Sequence, residues 1–174
     1  MDGFLQRLFR DEVELQCRFV VLAVDQLKAA SSKTEAWFAL QGAVISAANL
    51  SKLLWGSRGR SHAERQDLRD SLDVDDSSIL RDPDLRNDFE HFDERIDLMF
   101  GEGRSSSIYA GRNIGRDIDL LLPEGTKHFG RYDSESGVIA FWDHTFSLPD
   151  IVAEARRILA VIESGGARPA TEGA

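Results

Sequence analysis

The sequence predicts a mainly α-helical fold, a bundle of four to five helices with a small β-hairpin ahead of the last one. Three observations predict it. Over the first hundred residues, apolar side chains recur three and four positions apart, the period of an amphipathic helix. Helix-start signals stand at Ser32, Ser61 and Asp82-Pro83, and a stop signal at Gly56. After Gly101 the helical period gives way to short apolar runs separated by turn residues.

The first helix is expected from about Asp2 to Ala30, with Phe4, Leu8, Leu15, Phe19 and Leu22 as its apolar face. Phe19–Val24 is apolar nearly all round and should be buried on several sides. Ser31-Ser32 breaks this helix. Ser32 followed by Glu35 reads as a capping box opening a second helix that runs to Trp55, with Gly56 just beyond its end. Two long helices on so short a link should form an antiparallel hairpin. A second capping box, Ser61 with Glu64, should start a short helix reaching about Leu72, and Asp73–Ser78 reads as an acidic linker. Asp82 as N-cap and Pro83 at the first helical position open a central helix to about Phe100. Its apolar stripe is Leu85, Phe89, Phe92, Ile96 and Met99. Residues 103–116 are rich in Gly and Ser and read as loop. Lys127–Tyr132 and Val138–Trp142 flank a polar turn and read as the hairpin. Leu148–Ile162 is a last amphipathic helix, with Ile151, Ala155, Ile158, Leu159 and Ile162 on one face and Pro149 in its first turn.

Composition narrows the function classes. The chain of 174 residues is one domain in size and long enough to bury a core. No apolar run approaches the roughly 20 residues of a membrane span, and the start lacks a basic signal-peptide region, so a cytoplasmic setting without membrane partners is expected. The single cysteine, Cys17, excludes a disulfide framework and a paired-cysteine metal site, and its apolar surroundings suit a buried thiol. The net charge of −9 is uneven: residues 61–100 hold 5 basic and 13 acidic side chains, against 8 and 6 in residues 1–60. So acidic a chain binds nucleic acid poorly without a local basic surface or a basic partner.

Chemistry points to the central helix. At 100° per residue, Asn87, His91 and Glu94 lie opposite the apolar stripe, with Arg86 and Glu90 along one edge. Arg86-Asn87-Asp88-Phe89-Glu90-His91 resembles the signature of the HEPN superfamily, small helical domains with Arg-x(4–6)-His on a late helix. A single helical domain is expected over residues 1–164, with the loop and β-hairpin of 103–147 as an insertion outside the match and 165–174 a disordered tail by composition. The resemblance covers the helical core, roughly residues 1–100 plus the last helix. It implies a metal-independent endoribonuclease of toxin or defence type, without cofactor, acting on RNA as a homodimer and held by a cognate antitoxin. Arg86, Asn87 and His91 carry the catalytic roles. The chemistry is coherent: imidazole titrates near neutrality and serves as acid and base, and guanidinium stabilises a phosphorane. Asn87 is one turn before His91 and could orient it. Arg86 and His91 stand about 140° apart on the helix, so convergence asks for a second protomer. Against catalysis, Glu90, Asp93 and Glu94 repel RNA and favour imidazolium at His91. The alternative is a non-catalytic helical dimerisation or adaptor module using the same helix as its interface.

A second candidate, for substrate phosphate, is the loop holding Arg58, Arg60, His62 and Arg65, where arginines and a helix N-terminus would face an anion. Arg104, Arg112 and Arg116 form a weaker one. Asp88, His91 and Glu94 have the helical spacing of metal ligands, but the first two helices offer no histidine to match them, so no metal is assigned. Trp37, Trp55, Phe141 and Trp142 read as core aromatics.

Overall fold

The computed structural model describes residues 3–56, 59–82, 93, 94, 96, 97, 109–116, 127–141 and 144–165. Helix α1 (Gly3–Ala29) and helix α2 (Lys33–Trp55) form the antiparallel hairpin expected of them, and α5 (Leu148–Glu163) packs along α1. Two short helices, α3 (Gly59–Glu64) and α4 (Gln66–Ser71), follow the hairpin. A 3₁₀ turn at Ile79–Arg81 then seats Leu80, fully buried, against α2 and α5.

The caps hold these helices where the sequence sets them. Ser32 Oγ accepts from the Glu35 backbone N–H at 3.2 Å, as a capping box requires. The return arm lands one residue earlier than expected: Glu35 Oε2 accepts from the N–H and hydroxyl of Ser31, at 2.7 and 2.8 Å. Those bonds hold the Glu35 carboxyl below its ordinary pKa. Gly56, at φ 74, closes α2 by donating to Lys52 O at 2.8 Å. Ser147 caps α5 by accepting from the Asp150 N–H, with Pro149 in the first turn. The expected helix from Ser61 to Leu72 is instead two. It begins at Gly59, and Arg65 (φ −97, ψ 2) breaks it.

The buried face of α1 is not the expected one. Val13, Gln16, Cys17, Val20, Ala23 and Val24 face the core. Phe4, Leu8, Leu15, Phe19 and Leu22 lie outside, 41–70% exposed. The reason is closeness of approach. Small side chains line the seam, where a Cβ at Gly42 would stand 3.8 Å from that of Ala23. Asn49 donates to Gln16 Oε1 at 3.3 Å across the same seam. A helix that meets its partner through Ala, Gly, Cys and Val leaves bulkier stripes turned away. Cys17 is fully buried, as expected, and its thiol pKa is pushed up to about 12, first by burial and then by Glu154 and Glu14.

Strand content exceeds a hairpin. Strands β1 (Tyr109–Gly115), β2 (Lys127–Asp133), β3 (Val138–Phe141) and β4 (His144–Ser147) form one mixed sheet in that order. The expected hairpin is β2–β3, antiparallel with Tyr132 opposite Ile139. β1 runs parallel to β2, Tyr109 opposite Lys127 and Gly115 opposite Asp133, within the stretch read as loop. Gly111, Asn113 and Gly115 are poor strand formers, so only pairing with β2 makes this a strand. Ile139, Phe141 and Phe146 share one face of the sheet by register and are buried, and Phe129 on β2 is buried too. The Trp37 and Phe141 rings meet edge to face at 5.9 Å between centroids.

Candidate functional site

The approach to the central helix is firmly held. Ser78 Oγ donates to Glu154 Oε1 at 2.8 Å, and Arg157 donates to both oxygens of that carboxylate at 2.8 and 2.9 Å. Trp55 Nε1 donates to Asp76 Oδ1 at 2.9 Å, and Arg81 pairs with Asp76 Oδ2 at 3.0 Å. The stretch read as an acidic linker is therefore folded onto α2 and α5, with Val74 in the core. Arg86, Asn87 and His91 lie outside the described residues, as do Leu85, Phe89, Phe92 and Met99 of the stripe. Asp93, Glu94, Ile96 and Asp97 are helical, as expected, and exposed. Ile96 is 37% exposed, so at this position the stripe is not buried in the core.

Two residues of the expected phosphate loop, His62 and Arg65, have described side chains. Arg58 and the side chain of Arg60 lie outside the described residues; the backbone of Arg60 belongs to α3. Arg65 turns inward. Its Nη1 donates to Lys52 O and Leu53 O at 2.9 and 2.6 Å, and its guanidinium lies 4.0 Å over the Phe9 ring. Burial draws its pKa below the ordinary arginine value. His62 Nε2 approaches Asp76 Oδ1 at 3.4 Å, near enough for charge attraction and outside good hydrogen-bond geometry. Of the four residues assigned to phosphate, the structure thus places Arg65 as a cap on α2 and His62 beside a carboxylate.

The residue this reading missed is Arg69, 1% exposed. It donates to Leu54 O at 2.7 Å, His62 O at 3.0 Å and Gln66 Oε1 at 2.5 Å, with Trp55 beneath it at 5.9 Å. Arg65 and Arg69 together bind three of the last carbonyls of α2, where orphan acceptors and the negative helix end favour cations. The available signal was spacing: two arginines one turn apart, the second beside Leu68, just after a helix that ends in glycine.

Arg112 on β1, from the weaker arginine group, lies 5.0 Å over Phe129 and 5.5 Å over Trp37, cradled by aromatic rings. Arg116 pairs loosely with Glu135 at 3.6 Å on the surface. Trp37, Trp55 and Phe141 are core, as expected; Trp142 lies outside the described residues. An apolar cleft of about 620 Å³ opens between α1, the ends of β1 and β2, and the start of α5. No helix among the described residues is long and apolar enough to cross a membrane. No family model, curated protein or solved structure matches the chain.

Proposed function

We propose that this chain is a HEPN-like helical protein acting as a metal-independent endoribonuclease of toxin or defence type. The observation that carries the reading is the sequence pattern Arg86-Asn87-x(3)-His91, in a stretch whose start signal Asp82-Pro83 predicts a helix. In this reading His91 exchanges protons with the ribose 2′-hydroxyl and the leaving oxygen, Arg86 neutralises the phosphorane, and Asn87 holds the imidazole or a phosphate oxygen. Two features of the frame support it. The Leu80 turn, packed on α2 and α5, anchors the chain a few residues ahead of the motif in sequence. The exposed apolar stripe of α1 offers a surface for the second copy that a composite site needs. The test is cleavage of RNA in EDTA by wild type beside His91→Ala and Arg86→Ala. Each substitution is expected to lower the rate by about 10²-fold or more. Equal rates, or no cleavage by the wild type, refute it.

The same α1 stripe favours a second reading, a non-catalytic dimerisation or adaptor module. Self-association without any RNA cleavage selects that reading over the first.

A further inference from the structure

The cleft between α1 and α5 has a chemistry unlike the rest of the molecule. Its walls are apolar, chiefly Val24 and Leu27 of α1 and Leu148 and Val152 of α5. Two cations, Lys28 and Arg156, stand among the lining residues, and no Asp or Glu does. In a chain with 30 acidic and 21 basic side chains, a cation-bearing pocket without carboxylates is a local reversal of charge. Lys28 reaches Asp25 at 3.5 Å, but both side chains are more than half exposed, so the pair holds the ammonium weakly. Among the described residues Arg156 has no hydrogen-bond or ion-pair partner. The Tyr132 phenol, also on the wall, is kept neutral by burial and by Asp133 and stays a donor.

The mouth is rigid. Gly137 sits at φ 73, where a Cβ would stand 2.8 Å from Pro149 Cδ, and Leu148 donates to Gly137 O at 3.1 Å. That clamp fixes the start of α5 against the β2–β3 turn. The volume of about 620 Å³ suits a small organic molecule, since ligand pockets span roughly 300–1,000 Å³.

We propose that this cleft binds an amphipathic carboxylate, its apolar body between Val24, Leu27, Leu148 and Val152 and its carboxylate held by Arg156 with Lys28. Burial of the body supplies affinity, and the guanidinium supplies selection for the anion. This site is independent of the motif helix, so it stands whether or not the chain cleaves RNA.

The test is calorimetric titration of the full chain with decanoate and, separately, 1-decanol, below their aggregation limits, with fluorine NMR of the fluorotyrosine-labelled protein. Decanoate is expected to bind at one site about tenfold more tightly than decanol and to shift the Tyr132 resonance. Arg156→Gln should erase that preference while the melting temperature and RNA cleavage stay at wild-type values. Ala153→Trp, which fills the cleft, should abolish binding of both probes. Equal binding of decanoate and decanol overturns the proposal. So does wild-type affinity in Arg156→Gln, binding that leaves Tyr132 unmoved, or no binding at all.

Discussion

Arg69 concentrates the cost of burying a charge. Its guanidinium is enclosed by carbonyl oxygens of α2 and α3, a side-chain amide and an indole ring, with no carboxylate bound to it by a described hydrogen bond. The carbonyls of Leu54 and His62 would lose this donor on substitution, and a buried unsatisfied acceptor costs about 1–3 kcal/mol. Arg69→Met is therefore expected to destabilise the fold by about 2–4 kcal/mol in chemical denaturation, combining the lost bonds of two carbonyls with partial apolar compensation. Arg65→Met, removing a less buried cap on the same helix end, should cost about 1–2 kcal/mol. A smaller loss at Arg69 than at Arg65 would show that the α2 carbonyls find other donors.

At the scale of the element, α1 carries two apolar stripes, one buried in the core and one substantially exposed. The outer stripe of Phe4, Leu5, Leu8, Leu15, Phe19 and Leu22 is 41–70% exposed. Phe38 and Ile45 of α2, one turn either side of the seam residue Gly42, are 73% and 42% exposed. At roughly 150–250 Å² per large side chain, these fractions amount to on the order of 700 Å² per chain, near the roughly 800 Å² per partner of a standard interface. Leu15→Glu should leave stability within about 0.5 kcal/mol, because the position is exposed, and shift the particle mass in light scattering toward the monomer. Leu50→Ala, on the buried face of α2, should cost about 2–5 kcal/mol and leave any surviving assembly state unchanged. A Leu15→Glu chain that unfolds like Leu50→Ala would mean that the outer stripe is covered by this chain's own residues.

For the whole molecule, carboxylates tie the segment after α4 to the helical frame, which makes stability depend on acid. Glu154 is held below its ordinary pKa first by its bonds from Arg157 and also by Ser78. Asp76 is held low first by Trp55 and then by Arg81 and His62. A carboxylate whose folded pKa is depressed stabilises the fold above its unfolded pKa and loses that contribution as pH falls through the folded value. Glu154→Gln should thus lower the melting temperature near neutral pH by about 3–8 °C. The gap to wild type should narrow as pH falls through and below the ordinary glutamate range, as the wild-type carboxylate protonates. A gap that stays constant across that range would place the acid sensitivity elsewhere.

Sequence alone determined where the long helices lie and how they end. Ser32, Gly56 and Ser147 act on the backbone groups of their own helix termini, and such local bonds are written in neighbouring residues. The face of α5 was legible for a related reason: it has one apolar stripe, so period and burial coincide. The motif of Arg86, Asn87 and His91 was legible as a pattern of chemistry, and its residues lie outside those the structure describes. Tertiary structure decided what depends on a distant partner. Which stripe of α1 is buried follows from the close approach of Gly42 to Ala23. That residues 109–115 form a strand follows from parallel pairing with β2, and the inward turn of Arg65 and Arg69 follows from carbonyls ending a helix more than ten residues earlier. The cleft with Lys28 and Arg156 belongs to the same class: these cations are 128 positions apart in the chain, and only the packing of α5 on α1 makes them neighbours.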